Sequence, residues 1–277
     1  MDKIVIKDLE VICCHGVLPS EKTTPQKFLI TAELYTDFHE AAMHDDISKT
    51  VNYAEVCELL YNLSKENVND LIEKCVYDAA TLLLIRFTNI KRAKVTIKKP
   101  WAPIGLPLSY AAVTHQAAWV KCFLGLGSNL GDRILNIKRA ISMLESDIIK
   151  VSNVSSFIET KPVDYLEQPD FINCVLEVET LLPPRQLMET ILDIEKSIGR
   201  IRDIPKGPRV IDIDILLYGD LITDDRFVTV PHPEMTKRLF VLEPLSEISP
   251  NTIHPIERKR ISQLKKILVE DVRITTL

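Results

Sequence analysis

Residues 199–215 read Gly199-Arg-Ile-Arg-Asp-Ile-Pro-Lys-Gly-Pro-Arg-Val-Ile-Asp-Ile-Asp-Ile215. The last five residues alternate between apolar and acidic side chains, and this period of two predicts a β-strand. Because side chains two apart on a strand point to the same side, Asp212 and Asp214 share one face, roughly 7 Å apart along the backbone. The three isoleucines of this segment occupy the opposite face. The pattern therefore predicts a strand with an apolar core face and a face that carries two carboxylates.

Three fixed positive charges accompany these carboxylates in the sequence: Arg200, Arg202 and Arg209. Mg²⁺ is usually bound by one or two carboxylates together with phosphate oxygens. Guanidinium groups can neutralise the remaining phosphate oxygens through paired hydrogen bonds. The combination indicates a site for a metal-bound polyphosphate. Two carboxylates taken alone could equally form the solvent face of a half-exposed strand.

His232 lies between two prolines in the segment Val230-Pro-His-Pro233. Each proline fixes its own φ, so the segment restricts the direction of the imidazole ring. A single histidine is more often structural than functional. Beside the three arginines, however, we interpret His232 as a hydrogen-bond donor to phosphate.

Composition limits the classes of protein to which the chain can belong. The chain has 277 residues, of which 46% are hydrophobic, and this length favours two domains. A net charge of -5 and a pI near 5.8 argue against a nucleic-acid partner. The six cysteines form no CxxC pair and are expected to be free thiols. No signal peptide and no apolar run of about 20 residues is evident, so we expect a cytoplasmic protein without a membrane partner.

The first part of the chain predicts a domain over residues 1–118. Residues 3–13 and 26–36 alternate and predict an antiparallel hairpin, with a turn at 18–25 between its strands. Asn52-Tyr-Ala-Glu55 resembles a capping box that opens a helix, and a second helix is expected over about 70–86. Strands near 93–98 and 108–116 follow. The order β-β-α-α-β-β predicts a four-stranded antiparallel sheet with two helices.

The remaining residues, 119–277, predict a second domain with the order β-α-β-β-α-β. Strands are expected over 119–126, 151–159, 171–180 and 209–217, with one helix after the glycine turn at 127–131 and another from Pro184 to a stop at Gly199. This order is the split arrangement of a ferredoxin-like α/β sandwich. The predicted fold class is therefore α+β in two domains. A further amphipathic helix is expected within residues 255–277.

Glycines at the first strand-to-helix turn of this domain invite comparison with a dinucleotide-binding motif. Gly125, Gly127 and Gly131 are spaced as GxGxxxG rather than GxGxxG, and the domain is not a parallel βαβ array. A tight turn that brings backbone amides close to a small ligand fits this spacing better.

Residues 122–255 resemble 6-hydroxymethyl-7,8-dihydropterin pyrophosphokinase. The motifs that carry the resemblance are Leu124-Gly-Leu-Gly-Ser-Asn-Leu130, Gln168-Pro-Asp-Phe-Ile-Asn173, Gly199-Arg-Ile-Arg202, Gly207-Pro-Arg-Val-Ile-Asp-Ile-Asp-Ile215 and Val230-Pro-His-Pro-Glu-Met235, followed by Arg238-Leu-Phe240. The resemblance implies transfer of pyrophosphate from ATP to the hydroxymethyl group of a pterin, with release of AMP.

The same resemblance implies a role for each matching residue. Two Mg²⁺ ions on ATP would be held by Asp212 and Asp214. The phosphates would be held by Arg200, Arg202, Arg209 and His232. Asn173 would hydrogen-bond the polar edge of the pterin, and its ring would lie between Phe171 and Phe240.

Two positions depart from the family pattern. The family often has a longer basic and aromatic loop where this chain has only Asp203-Ile-Pro-Lys206. That loop helps to close over ATP in relatives, so Lys206 would carry its basic role here. Arg226 lies one residue further from His232 than the pattern requires, and we leave it out of the site.

Residues 1–118 resemble dihydroneopterin aldolase. The matching motifs are His15-Gly-Val-Leu18 with Glu21, Val51-Asn-Tyr-Ala54, Leu71-Ile-Glu73 and Val95-Thr-Ile-Lys-Lys-Pro100. The resemblance implies a T-fold domain that forms a ring of subunits and cleaves 7,8-dihydroneopterin into 6-hydroxymethyl-7,8-dihydropterin and glycolaldehyde. It implies no metal and no other cofactor for this reaction.

The resemblance implies that Lys99 would act as general acid and base, with Glu21 close to it. Lys99 is preferred to Lys98 because it directly precedes Pro100 and takes the opposite face of the strand. Glu73 would hold the guanidine-like edge of the pterin through paired hydrogen bonds. Tyr53 would take part in proton transfer and would enter from a neighbouring subunit, so a homo-oligomer is expected.

Together the two resemblances predict a bifunctional enzyme of folate biosynthesis, because the product of the first reaction is the substrate of the second. Pterins and ATP are the expected small-molecule partners. Two alternatives remain open from the sequence. In one, the second domain is an active pyrophosphokinase and the first domain only oligomerises. In the other, the chain is a non-catalytic protein that binds a pterin or a nucleotide.

Overall fold

The computed structural model describes residues 1–162, 167–200 and 207–275. The chain divides into two compact units, Met1–Trp119 and Val120–Leu277. Both units are α+β with antiparallel sheets, as the sequence predicted for the fold class. Within the described ranges, no helix is long and apolar enough to cross a membrane. The six cysteines are free thiols, and four of them are buried.

The first unit contains a four-stranded antiparallel sheet and two long helices. Its elements are β1 (Asp2–Cys13), α1 (Pro19–Thr23), β2 (Gln26–Thr36), α2 (His39–His44), α3 (Tyr53–Glu66), α4 (Ile72–Arg86), β3 (Arg92–Lys99) and β4 (Ala111–Ala118). The strands follow the order β1-β2-β3-β4, which confirms the predicted hairpin and sheet. Alternate residues of β2 and β3, among them Phe28, Ile30, Val95 and Ile97, are buried.

The start of α3 shows why the helix begins where the sequence predicted. The side chain of Asn52 accepts a hydrogen bond from the Ala54 N–H at 3.0 Å and caps one of the free amides of the first turn. The Glu55 side chain does not accept a hydrogen bond from the backbone N–H of Asn52, as it would in a full capping box. Its carboxylate accepts instead from the Asn52 side-chain amide at 2.8 Å. The cap is therefore confirmed, with a different reciprocal contact.

One segment of the first unit differs from its prediction. Residues 18–25 were expected to form a turn, but Pro19–Thr23 is a short helix that starts with proline, which suits the first helical position. Glu21 lies on it, and its side chain accepts a hydrogen bond from the Leu18 N–H at 3.1 Å. A five-residue helix has no periodic apolar stripe, so the pattern gives little sign of it.

The second unit contains a five-stranded antiparallel sheet with helices on both faces. Its elements are β5 (Val120–Ser128), α5 (Arg133–Leu144), β6 (Ile149–Val154), β7 (Ile158–Thr160), β8 (Phe171–Thr180), α6 (Pro184–Ile198), β9 (Asp212–Tyr218), β10 (Thr223–Asp224), β11 (Thr229–Val230), α7 (Leu239–Ile248) and α8 (Ile261–Thr275). The main sheet has the order β6-β8-β5-β9, and β7 pairs with β8.

Two separate apolar clusters explain this layering. One cluster joins β5, β8 and β9 to α5 and α6, with Leu124, Ile137 and Ile191 among its buried residues. The other joins the opposite face of the sheet to α7 and α8, where Leu216, Leu242 and Ile261 are buried. Both faces of the central strands are therefore buried along most of their length.

Two predicted strands of this unit have other bounds, and one of its helices was not predicted. The strand expected over 151–159 is two strands, β6 and β7, separated by Ser155 and its neighbours. The strand expected over 209–217 begins at Asp212 and ends at Tyr218. Helix α7 was not predicted as a helix, because Pro244 interrupts its sequence. The stop at Gly199 is confirmed, since this residue ends α6 with a φ of 104°.

Candidate active site

A cavity of about 740 Å³ in the second unit is lined by eight of the residues that the sequence assigned to the pyrophosphokinase site. Two strands of the main sheet and the segments beside them supply these residues. They are Phe171, Asn173, Arg200, Arg209, Asp212, Asp214, His232 and Phe240. Arg202 and Lys206 lie outside the described residues.

Asp212 is held between two arginines at one side of this cavity. Its Oδ1 lies 2.6 Å from Nη1 of Arg200, and its Oδ2 lies 2.5 Å from Nη1 of Arg209. The guanidinium group of Arg209 also lies 5.7 Å from the centroid of the Phe171 ring. The predicted cations and the predicted carboxylate therefore meet in one place, with both arginines attached to the same carboxylate.

Asp214 lies two residues further along β9 and lines the same cavity. Burial raises the pKa of this carboxyl, and the nearby charge of Asp212 raises it further, although 44% of the side chain remains accessible. Two neighbouring carboxylates in a confined space repel each other. A positive charge placed between them would relieve this repulsion.

The imidazole of His232 has a fixed orientation beside Asp214. Its Nδ1 accepts a hydrogen bond from the Glu234 N–H at 3.2 Å, so Nε2 carries the proton in the neutral ring. Nε2 lies 4.0 Å from Oδ2 of Asp214. Burial lowers the pKa of His232, while the charge of Asp214 opposes this effect. The ring thus presents a donor to the cavity.

Asn173 faces the cavity because the strand beside it has no side chain at the paired position. Asn173 on β8 pairs with Gly127 on β5. A Cβ atom at Gly127 would lie only 2.9 Å from Oδ1 of Asn173, so a larger residue would displace this amide. The Asn173 amide also donates to Oγ1 of Thr160 at 2.7 Å. Gly127 therefore makes room for a polar side chain.

Three charged residues that line this cavity were assigned no role from the sequence, namely Lys161, Glu195 and Arg238. Glu195 on α6 is only 2% exposed, forms an ion pair with Arg200, and accepts a hydrogen bond from the Ile213 N–H at 2.8 Å. Arg238 lines the cavity with its guanidinium group 5.7 Å from the centroid of the Phe240 ring. The sequence feature that could have identified Glu195 is its position next to Ile194 on a helix face that is otherwise apolar.

In the first unit, Lys99 and Glu21 form a buried ion pair. The ammonium group of Lys99 also donates to the carbonyl oxygen of His15 at 3.0 Å. Gln26, another buried residue, donates weakly to the same Glu21 carboxylate at 3.4 Å. Lys98 points to the opposite face, where its Nζ lies 2.6 Å from Oδ1 of Asp8. The alternation of the strand thus separates the two lysines as expected.

The Glu21 carboxylate is kept ionised by its contacts. Burial raises its pKa, but hydrogen bonds from Lys99 and from the Leu18 N–H outweigh burial, so the pKa of Glu21 lies below its ordinary value. Gly16 packs directly against this carboxyl group with a φ of 151°, and a Cβ atom there would overlap it. The ion pair therefore lies in a tightly shaped environment.

The other two residues assigned to the aldolase site do not join this pair. Tyr53 is 64% exposed at the start of α3, and Glu73 is exposed at the start of α4. In the part of the chain that the structure describes, neither side chain forms an ion pair or hydrogen bond with Lys99 or Glu21. Among the described residues of one copy, the contact that the structure shows within this predicted set is the ion pair of Lys99 with Glu21.

Comparison with known proteins finds separate matches for two parts of the chain. Residues 123–250 match the family model described as 7,8-dihydro-6-hydroxymethylpterin-pyrophosphokinase, and residues 4–116 match the model described as dihydroneopterin aldolase. A 2-amino-4-hydroxy-6-hydroxymethyldihydropteridine pyrophosphokinase from Aquifex aeolicus is 45% identical over 143 residues, covering 52% of this chain and 89% of that protein. The crystal structure of Escherichia coli dihydroneopterin aldolase in complex with neopterin aligns at 29% identity with a TM-score of 0.40, covering 42% of this chain and 98% of that chain.

Longer relatives contain both parts. A folic acid synthesis protein from Dictyostelium discoideum is 33% identical over 282 residues, covering 92% of this chain and 43% of that protein. The chain thus spans about two fifths of the length of the folic acid synthesis proteins that it matches. It belongs to the 7,8-dihydro-6-hydroxymethylpterin-pyrophosphokinase family, and residues 4–116, which precede the part that matches this family, match the dihydroneopterin aldolase model.

Proposed function

We propose that the protein is a bifunctional enzyme of folate biosynthesis. Its first unit would release 6-hydroxymethyl-7,8-dihydropterin from 7,8-dihydroneopterin, and its second unit would transfer pyrophosphate from ATP to that product. The observation that carries the kinase proposal is the convergence of two carboxylates, two arginines, a histidine, an asparagine and two phenylalanines on one cavity. Such a mixture suits a ligand pair with one polyanionic and one flat aromatic member.

The strand orders support finer descriptions of the two folds. The order β6-β8-β5-β9 within a β-α-β-β-α-β chain is that of a ferredoxin-like sandwich. In the first unit, the sheet β1-β2-β3-β4 leaves β1 and β4 as edge strands. An open edge is a template for pairing with another chain. We therefore propose that the first unit is a T-fold domain that would assemble into a ring.

Asp212 and Asp214 fit the binding of magnesium only together with a nucleotide. Their carboxylate oxygens are the hard ligands that Mg²⁺ prefers, and they lie on one face of β9. Among the residues the structure describes, no group of three or more His, Cys, Asp or Glu side chains could hold a metal ion. The remaining ligands would thus be phosphate oxygens and water. When bound, the metal would neutralise charge on the transferred phosphates.

The other side chains of the cavity would align the two substrates. Arg200 and Arg209 already surround Asp212, so they would meet phosphate oxygens bound at the same carboxylate. His232 would donate from Nε2 to a further phosphate oxygen. The pterin would lie between Phe171 and Phe240 and bond to Asn173. Its hydroxymethyl oxygen would attack the β-phosphorus of ATP, and the bond to the α-phosphate would break to release AMP.

For the first unit, we propose retro-aldol cleavage at the buried ion pair. The ammonium group of Lys99, held by Glu21 and by the carbonyl of His15, is positioned to donate and take back a proton. Electrons from the broken carbon–carbon bond would enter the C=N bond of the dihydropterin. No metal or Schiff base is needed for this step. Glu73 would hold the polar edge of the pterin.

The exposure of Tyr53 supports a site completed by a second copy of the chain. An exposed tyrosine beside a helix start contributes little to its own subunit, whereas it could cover the Lys99 site of a neighbour. We therefore propose a homo-oligomer built through the first unit. Sedimentation equilibrium would test this: a monomer at enzyme concentrations that still release glycolaldehyde would contradict it.

Two activity assays separate the proposed functions. AMP formation from ATP and 6-hydroxymethyl-7,8-dihydropterin should be lost in Asp212→Asn but retained in Lys99→Ala. Glycolaldehyde release from dihydroneopterin should show the opposite dependence. If the wild-type protein forms AMP but releases no glycolaldehyde, the first unit is only an oligomerisation module. If it forms neither product, a non-catalytic binding protein is the better interpretation.

A further inference from the structure

Asn129, in the turn that follows β5, is a buried asparagine with no part in the function proposed above. It is only 2% exposed and lies between the segment that carries Arg209 and the segment that leads into Phe171. Its backbone and side chain make four hydrogen bonds, divided equally between these two segments. A buried amide with both its donor and acceptor sides in use is costly to replace.

The first pair of bonds holds the nucleotide side of the cavity. The backbone N–H of Asn129 donates to the carbonyl of Arg209 at 3.1 Å, and its Oδ1 accepts from the Arg209 N–H at 2.7 Å. Ser128 adds a bond to the carbonyl of Val210 at 2.5 Å. Arg209 in turn contacts Asp212 at 2.5 Å. The turn thus fixes the backbone from which the arginine reaches the carboxylate.

The second pair of bonds holds the pterin side. The amide nitrogen of Asn129 donates to Oε1 of Gln168 at 3.0 Å and to the carbonyl of Pro169 at 3.1 Å. These residues lie shortly before Phe171 and Asn173 in the chain, and both of these side chains line the cavity. Arg133, at the start of α5, supports the same segment by donating to the carbonyl of Asp170 at 2.7 Å.

We propose that Asn129 is a positioning residue that sets the alignment of the two substrates by tying their binding segments to one turn. This inference rests on the function proposed above. Transfer requires the hydroxymethyl oxygen to face the β-phosphorus in line, and an error of about 1 Å in such alignment can cost roughly a hundredfold in rate. Without Asn129, each segment keeps the side chains for its own ligand, whereas the distance between the ligands is no longer fixed.

A comparison of rate with binding tests this role in the full-length protein. In Asn129→Ala, kcat for AMP formation should fall roughly a hundredfold. The Kd of the magnesium complex of α,β-methylene-ATP and the Kd of 6-hydroxymethyl-7,8-dihydropterin, each measured by calorimetry, should change by less than about threefold, since neither ligand touches Asn129 directly. Should the alanine variant fail to fold, Asn129→Ser, whose side chain is too short to reach both segments, serves for the same measurements.

Asn136, on helix α5, provides a matched control that packs against the same turn. It is also buried, at 7% exposed, and its amide donates to the carbonyl of Leu130 at 2.9 Å. It bonds neither ligand-bearing segment directly, so Asn136→Ala should lower the melting temperature while kcat stays within about threefold of wild type.

The outcomes separate the inference from the function on which it rests. A fall in kcat at least tenfold larger than the change in either Kd, absent from Asn136→Ala, supports the positioning role. A smaller difference, or the same loss in Asn136→Ala, shows that Asn129 is only structural and overturns the inference while the kinase function stands. A wild-type protein that forms no AMP overturns both.

Discussion

Replacement of the buried Glu195 should destabilise the second unit and disturb its carboxylate strand. The side chain forms an ion pair with Arg200 and accepts the Ile213 N–H at 2.8 Å. Ile213 lies between Asp212 and Asp214. The Glu195 carboxylate therefore links α6 and Arg200 to β9, the strand that carries these two acidic residues. Burial raises the pKa of Glu195, which shows that its charge is costly at this position.

The size of the effect follows from these contacts. In Glu195→Leu the buried Ile213 N–H loses its acceptor, which costs about 1–3 kcal/mol. Removal of one partner of a buried ion pair costs about 3–5 kcal/mol, but Arg200 keeps Asp212 at 2.6 Å and the leucine fills apolar space. We therefore expect a net loss of about 2–4 kcal/mol. Glu195→Gln retains an acceptor for Ile213 and should lose only about 1–2 kcal/mol.

Urea unfolding followed by far-ultraviolet circular dichroism gives the required free energies. Tryptophan fluorescence reports the first unit separately, because Trp101 and Trp119 are the only tryptophans of the chain. Glu189→Gln is the matched control: Glu189 lies on the same helix in an exposed pair with Arg185, and such a pair is worth about 0.3–0.5 kcal/mol. The reasoning is refuted if Glu195→Leu is as stable as wild type, or if the glutamine costs more than the leucine.

Three further predictions concern the two sites. Gly127→Ala should raise the KM for the pterin and leave the KM for ATP unchanged, because the added Cβ would lie 2.9 Å from Oδ1 of Asn173. Steady-state kinetics with each substrate varied in turn would measure both constants. A change confined to the KM for ATP would contradict the prediction. The pKa of Glu21 lies below its ordinary 4.5, so the ionised carboxylate stabilises the fold above that pH. This stabilisation is lost as the pH falls through the pKa of Glu21 in the folded state. The difference in unfolding free energy between wild type and Glu21→Gln, measured by tryptophan-monitored urea titration, should therefore shrink between about pH 7 and about pH 3. Asp214→Asn should weaken the binding of an ATP analogue in the presence of magnesium but tighten it about tenfold in EDTA, since about 1.4 kcal/mol of charge repulsion is removed. Calorimetry under both conditions would show these opposite changes in affinity. Weaker binding under both conditions would argue against a metal at this carboxylate.

The parts of the site that lie on strands could be predicted from the sequence because strand geometry is local. A period of two is enough to place Asp212 and Asp214 on one face and to separate Lys98 from Lys99. In both cases the apolar neighbours identify the core side. The same argument predicted the main strands and their order along the chain. In these strands, apolar residues either alternate with polar ones or run continuously over five or more positions.

The parts that depend on contacts distant in sequence could not be found in this way. Glu195 accepts the Ile213 N–H across 18 residues, and nothing in the helix pattern names that partner. Likewise Glu21 lies on a five-residue helix whose position is fixed by contact with Lys99, 78 residues later. Short elements of this kind are set by tertiary packing rather than by propensity. The exposed Tyr53 shows the same limit, since the surroundings proposed for it belong to another copy.

The charges around the kinase cavity suggest why a metal should be needed for nucleotide binding. Three arginines line the described part of the cavity, namely Arg200, Arg209 and Arg238, and three carboxylates line it as well, namely Glu195, Asp212 and Asp214. Arg200 and Arg209 are thus paired with carboxylates before any ligand arrives, and a free polyphosphate would meet the two carboxylates of β9 at close range. Asp212 and Asp214 would hold a cation brought in with the phosphates, whose charge would offset that repulsion, and Arg200 and Arg209 would then be available to phosphate oxygens. We therefore propose that the acidic pair would do more than hold an ion: it would make the site selective for the metal complex of the nucleotide over the bare anion.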